Sequence, residues 1–184
     1  MKSLVICGPS GVGKTTVLNL FQERNPSYVE PVSYYTRPTR KDDKSKYVHL
    51  SPLEFRQKEV RGEFICVSQF LGWKYGLPLS ETQTIKKGGS KLLMDYSLEN
   101  LHLLVNLKEQ LNALFVYLLP KNNEILLGRL RTRSDSSFAE VRYEKALREI
   151  RTRSDSLNWA HIDRELINED LDLTIRCLEK MVSI

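Results

Sequence analysis

The chain has 184 residues, 41% hydrophobic and 28% charged, with a formal net charge of +5. That size and balance fit one soluble globular domain with its own core, and no apolar run approaches the ~18 residues of a membrane span. A basic chain of this kind points to a polyanion, either nucleic acid or a small phosphate-bearing molecule.

In chain order, strand and helix signals alternate, which predicts an α/β fold with a mainly parallel sheet. Ser3–Cys7 reads as a buried strand and Lys14–Arg24 as a helix. Val29–Ser33 reads as a strand. Ser51-Pro52-Leu53-Glu54 is a capping box with proline at the first helical position, predicting a helix over Pro52–Val60. Phe64–Phe70 reads as a further strand. Leu92–Met94, Ala113–Leu119 and, more weakly, Glu165–Ile167 are apolar runs suited to buried strands. Helices are predicted over Ser97–Gln110 and Leu171–Val182, the latter capped by Asp170. The stretch 121–156 is charged and helical, and it carries RTRSDS twice, at 131–136 and 151–156. Two copies do not make a solenoid, so the repetition reads as coincidence on a polar surface.

Cys7, Cys66 and Cys177 are odd in number and far apart, with no C-x-x-C pair. Neither a disulfide framework nor a zinc site is expected, and reduced cytoplasmic thiols are the default. MKSLVICG runs directly into a strand, so no signal peptide is expected.

The chemistry begins at Gly8-Pro-Ser-Gly-Val-Gly13-Lys14-Thr15, which matches G-x-x-x-x-G-K-[ST] between a strand and a helix. Its glycines let backbone N–H groups turn inward around phosphates, with Lys14 reaching the β/γ-phosphates and Thr15 offering a hydroxyl to Mg²⁺. The bland alternative is a glycine-rich turn without a ligand. Gly8, Ser10, Gly11, Gly13, Lys14, Thr15 and Thr16 are therefore the candidate ATP-binding residues. Arg37 and Arg40, with Pro38 stiffening the chain between them, suit a phosphate dianion; alone, they read equally as solvated arginines.

GPSGVGKTT, VSYYTRPTR, SPLEF, GEFICVSQFLGWKYG, LLMDYS, GRLRTR and INEDLD occur in one order along nearly the whole chain. In that order they resemble the guanylate kinase family of nucleoside monophosphate kinases. The resemblance implies a three-layer parallel-sheet core (1–31, 81–120 and 151–184), an inserted mixed acceptor-binding subdomain (32–80) and a helical lid (121–150). It implies transfer of the ATP γ-phosphoryl to the phosphate of GMP with Mg²⁺. Ser33, Arg37, Arg40, Tyr47 and Tyr75 match acceptor-binding residues, Arg133 and Arg142 match lid arginines, Asp95 an acidic residue at a strand end, and Asn168 an asparagine near the adenine. Asp95 also reads as a helix cap, and the lid arginines as a solvated helix face. With Lys14, Arg37, Asp95, Arg133 and Arg142 form the expected catalytic set.

At the base, Ser33 matches the serine with which the family holds guanine, and there the match ends. Cys66 falls where the family has a guanine-reading glutamate, Ser97 where it has a second aspartate, and Leu77 where it has a hydroxyl. Losing two carboxylate contacts costs ~3–6 kcal/mol of discrimination, roughly 10²–10⁴-fold. Three readings follow. The first is a GMP or dGMP kinase with substitute base contacts, Ser68 and Gln69 among them. The second is a kinase of the same fold for another nucleotide or a ribose phosphate, its apolar wall being Cys66, Leu77 and Trp73. The third is a phosphopeptide-binding module, against which the intact Gly13-Lys14-Thr15 argues. Nucleic acid is a distant fourth partner, and the oligomeric state is left open.

Overall fold

A computed structural model describes residues 1–39, 47–70, 72–110, 112–132 and 139–183, the Leu107 side chain excepted. Five parallel strands form the main sheet in the order β2 (Tyr28–Val29), β7 (Lys91–Asp95), β1 (Ser3–Cys7), β8 (Ala113–Pro120), β9 (Arg164–Asn168). Because successive side chains on a strand face opposite ways, β1 feeds two cores. Leu4 and Ile6 pack on one side with Val17, Leu18 and Phe21 of α1 (Lys14–Arg24) and with Ile175 and Leu178 of α7 (Leu171–Ser183). Val5 and Cys7 pack on the other side with Phe115, Tyr117 and Leu101. The result is three layers, helix on sheet on helix.

A second sheet, β4 (Tyr47–His49), β3 (Ser33–Tyr35), β6 (Trp73–Pro78), β5 (Phe64–Phe70), stands beside the first. Its β5–β6 hairpin pairs Cys66 with Leu77 and Ser68 with Tyr75. Helix α2 (Pro52–Val60) carries the capping box: Ser51 Oγ accepts from the Glu54 amide, and the Ser51 amide donates to Glu54 Oε2 at 2.8 Å. Phe55 of α2 stacks on Phe64 at 4.7 Å between centroids. A Cβ at Gly76 would lie 2.6 Å from the Phe64 ring, so β6 needs a glycine there.

Three sequence expectations change. The strand expected over Val29–Ser33 is two strands in different sheets, separated at Pro31, which has no amide to donate. The helix expected over Ser97–Gln110 opens as a 3₁₀ helix, Leu98–Leu104, before α4 (Val105–Gln110). Leu98, Leu101 and Leu104 are all buried, and a spacing of three suits three residues per turn. Strands β4 and β6 and helix α3 (Leu79–Lys87) had no clear signal, β6 because Gly76 and Pro78 read as turn residues. The charged stretch holds α5 (Glu124–Arg131) and α6 (Ala139–Thr152). Asp170 caps α7, accepting from the Leu173 amide at 2.8 Å. Among the described residues no helix is long and apolar enough to cross a membrane.

Candidate active site

A cleft of about 780 Å³ opens between the two sheets, bounded also by α6. One end is the loop between β1 and α1. Gly8, Gly11 and Gly13 take φ of +144°, +87° and +103°, conformations that L side chains avoid. They turn the loop around the head of α1, whose first amides have no helical partner and face the cleft as an anion site. Lys14 Nζ lies over this loop, donating to Gly8 O at 2.6 Å and Pro9 O at 3.1 Å. Ser10, Thr15 and Thr16 line the same end.

Asn168, at the end of β9, reaches into the loop from below. Its Nδ2 donates to Val12 O at 2.8 Å, while its Oδ1 accepts from Thr174 Oγ1 at 3.1 Å. The amide is thus fixed at both ends, bracing the phosphate loop. Arg129 of α5 braces it from above, donating from Nη1 to Gly11 O at 3.3 Å and Val12 O at 3.2 Å.

The second sheet forms the other end. Arg37 is buried, its guanidinium 4.3 Å from the centre of the Tyr35 ring, and Nη1 donates to Pro38 O at 2.9 Å. Ser33, Tyr47 and Tyr75 face the cleft beside it. Strand alternation on β5 puts Cys66, Ser68 and Phe70 toward the cleft and Gln69 on the opposite face, exposed. Gln69 therefore does not line the cleft. Trp73, 39% exposed, does not line the cleft either, whereas Leu77 does.

Between the two ends lie Asp95 and the face of α6 that carries Arg142, Lys145 and Glu149. Asp95 is the last residue of β7; the position capping the following 3₁₀ helix is Ser97, so Asp95 does not act as that cap. Ser97 Oγ accepts from Asn100 Nδ2 at 3.1 Å. Arg142 is buried, with Cζ 5.9 Å from the Phe70 ring, and Lys145 Nζ is 4.7 Å from the same ring. Phe70 thus joins the second sheet to α6 across the cleft.

Glu149 accepts from Tyr117 Oη at 2.8 Å. Burial pushes its carboxyl up, against the pull of Lys14 and the Tyr117 hydrogen bond. The Tyr117 hydroxyl is pushed well above its usual range by burial and by Glu149. Beneath the loop Cys7 is fully buried and its thiol is pushed up by burial, although Lys14 opposes this.

A family model described as guanylate kinase matches residues 1–184. The chain belongs to the guanylate kinase family. A guanylate kinase from Lawsonia intracellularis is 31% identical over 175 residues, spanning 92% of this chain and 78% of the relative. Another from Nostoc is 26% identical over 182 residues, spanning 97% of this chain and 87% of the relative. The fold is also that of the solved guanylate kinase from Anaplasma phagocytophilum, with a TM-score of 0.75 at 22% identity over 99% of this chain and 84% of that one.

Within this member of the guanylate kinase family, the cleft brings together Gly8, Ser10, Gly11, Gly13, Lys14, Thr15, Thr16 and Asn168 at the loop end. It gathers Ser33, Arg37, Tyr47, Cys66, Tyr75 and Ser97 at the other, with Asp95 and Arg142 between. Arg40 and Arg133 lie outside the described residues. Sequence reasoning missed Tyr96, Arg129, Lys145 and Glu149. The last two had a signal: 142, 145, 146 and 149 fall on one face of a helix.

Proposed function

We infer that this chain is an ATP-dependent kinase that phosphorylates GMP. The observation that carries the reading is one cleft with a phosphate loop at one end and a buried arginine among tyrosines at the other, in a chain matched end to end by the guanylate kinase model. The guanylate kinase relatives support GMP over the other acceptors, and over the phosphopeptide-binding reading.

In this reading the loop amides and Lys14 hold the donor phosphates, Arg37, Tyr47 and Tyr75, with Arg40 nearby in the chain, grip the acceptor phosphate, and Ser33 contacts the base. Arg142 and Arg133 cover the transferring group. No protein nucleophile is needed, because phosphoryl transfer asks the protein chiefly to align two substrates and stabilise charge. The region 32–80 acts as the acceptor-binding part and 121–150 as the lid, whose closure excludes water.

The Thr15 hydroxyl and the Asp95 carboxylate are hard oxygen donors facing the same cleft, a set that suits Mg²⁺ completed by water and substrate phosphates. When bound, Mg²⁺ supplies charge neutralisation at the donor phosphates. A cytoplasmic setting fits ATP as donor and the unpaired thiols of Cys7 and Cys66.

The test is a coupled ATP-consumption assay across GMP, dGMP, AMP, UMP, CMP, dTMP and ribose phosphates. GMP-dependent turnover that is lost in Lys14→Ala is expected. Turnover with none of these acceptors, together with tight binding of a phosphopeptide, overturns the kinase reading.

A further inference from the structure

The acceptor end lacks the carboxylate expected at position 66, yet it is not without polar groups. Tyr96 follows Asp95 at the end of β7 and lines the cleft. Its Oη donates to Cys66 Sγ at 3.5 Å, and the Ser68 hydroxyl also reaches it. Two strands of different sheets thus meet through one phenol.

Position along β5–β6 matters. Ser68 is paired with Tyr75, at the phosphate grip, and Cys66 with Leu77, two residues farther on. Two residues of strand span ~7 Å, the order of separation between a nucleotide's phosphate and its base. Cys66 and Leu77 are buried in the apolar core that lies under the main sheet, so this part of the wall is apolar, with the Tyr96 and Ser68 hydroxyls beside it. We propose that the Tyr96 hydroxyl, held by Cys66 and Ser68, is the base-reading group of the acceptor site and selects 6-oxopurine nucleoside monophosphates, guanine and hypoxanthine alike. This rests on the GMP-kinase reading above.

The selection follows from polarity. A phenol has one donor hydrogen and two acceptor lone pairs. The hydrogen is used on Cys66 and one lone pair takes the Ser68 hydroxyl, which leaves one lone pair for a ligand. A 6-oxopurine donates its N1–H to that lone pair. Adenine presents a bare N1 there, and two lone pairs oppose each other. Burial pushes the Tyr96 hydroxyl well above its usual range, with Cys66 adding to it, so the group stays neutral. A neutral oxygen discriminates less than a carboxylate. The 2-amino group of guanine finds no carboxylate in the Cys66–Tyr96–Ser68 cluster, and Glu99, two residues beyond Ser97, is held by Lys145 at 2.8 Å.

Calorimetric titration separates this from the kinase reading, because it needs no turnover. GMP, inosine monophosphate, AMP and ribose 5-phosphate are titrated into the wild type, Tyr96→Phe and Ser68→Ala, with circular dichroism and ATP affinity as checks on folding. The wild type should bind GMP and inosine monophosphate within about threefold of each other, and AMP and ribose 5-phosphate about tenfold more weakly. Tyr96→Phe should weaken both 6-oxopurine nucleotides about fivefold to tenfold, leaving ribose 5-phosphate and ATP unchanged. Ser68→Ala, the milder change, should weaken them about twofold. Wild-type GMP binding in Tyr96→Phe overturns the proposal. So does a wild type that binds GMP no better than ribose 5-phosphate, or prefers it to inosine monophosphate by more than about thirtyfold. Selective GMP binding without GMP-dependent ATP consumption upholds the base reading and removes the kinase reading.

Discussion

Asn168 Nδ2 donates to the carbonyl of Val12 at 2.8 Å, joining the end of the last strand to the phosphate loop across 156 positions of sequence. The same side chain accepts from Thr174, so both halves of the amide are used. A Cβ on Gly13 would lie 2.8 Å from this Nδ2. The bracket therefore works only because the loop presents a glycine to it.

Removing the bracket should weaken ATP binding before it weakens anything else. Asn168→Ala removes one hydrogen bond at each end, at ~1 kcal/mol in all, while Val12 O keeps Arg129 and Thr174 Oγ1 keeps the carbonyl of Asp170. The expected result is a melting temperature several degrees lower, since ~1 kcal/mol is ~2–4 °C in a chain of this size, together with an ATP KM raised about tenfold. An ATP KM equal to wild type would mean that the loop holds its shape unaided.

Lys14→Ala should lower kcat by ~10²–10³-fold, the scale for removing one preorganised donor from a transition state. Folding should be almost untouched, because the two bonds Lys14 makes are to loop carbonyls at the edge of the cleft. Steady-state kinetics beside thermal unfolding checks both halves. A matching collapse in melting temperature would assign the effect to structure.

Arg37→Lys should raise the acceptor KM by ~10–100-fold while leaving the ATP KM within twofold, a charge-assisted hydrogen bond being worth ~1.5–3 kcal/mol. Lysine keeps the charge but loses the planar fork, and with it the stacking on Tyr35. Equal rises in both KM values would argue against a role confined to the acceptor phosphate.

Glu149→Gln should stabilise the protein near neutral pH. The folded state raises the Glu149 carboxyl, so the native chain holds this proton more tightly than the unfolded one. That contribution is full below the unfolded pKa and is lost as pH rises through the folded one. Lys14 and Lys145 oppose the rise, Tyr117 donates to the charged form, and Glu99 adds to the rise; burial is the largest influence. The melting-temperature difference, variant minus wild type, should grow from pH 4 to pH 7 by a few degrees. A flat difference would place the Glu149 carboxyl in its ordinary range.

Cys66→Glu with Ser97→Asp should raise the preference for GMP over AMP and over inosine monophosphate by ~10²-fold or more. It should also lower stability, since Cys66 is 7% exposed and packed among apolar residues. No gain in GMP efficiency would show that position 66 does not face the base.

The core and the phosphate end were legible in the sequence because local chemistry dictates them. Ser3–Cys7 is uninterruptedly buried, a glycine loop follows, and Lys14–Arg24 is a helix from its first residue to its last. The second sheet was less legible. Val29 and Ser33 look continuous in one dimension, yet belong to different sheets. Gly76 reads as a breaker, although it is there so that Phe64 can lie against β6. Tyr96 could not be read at all: a tyrosine after a strand is ordinarily packing, and its partners Cys66 and Ser68 come from the other sheet.

The burial of sulfur at this site has a practical side. Cys7 lies fully buried beneath the glycine loop and Cys66 is buried in the wall of the cleft, and burial raises both thiols. The thiolate is the form that attacks an alkylating agent, so neither sulfur offers such a reagent a handle in the folded chain. Cys177, partly exposed on α7, is left as the accessible attachment point. A single maleimide dye placed there would label the enzyme on a helix behind the core, leaving the cleft free to bind and turn over nucleotides.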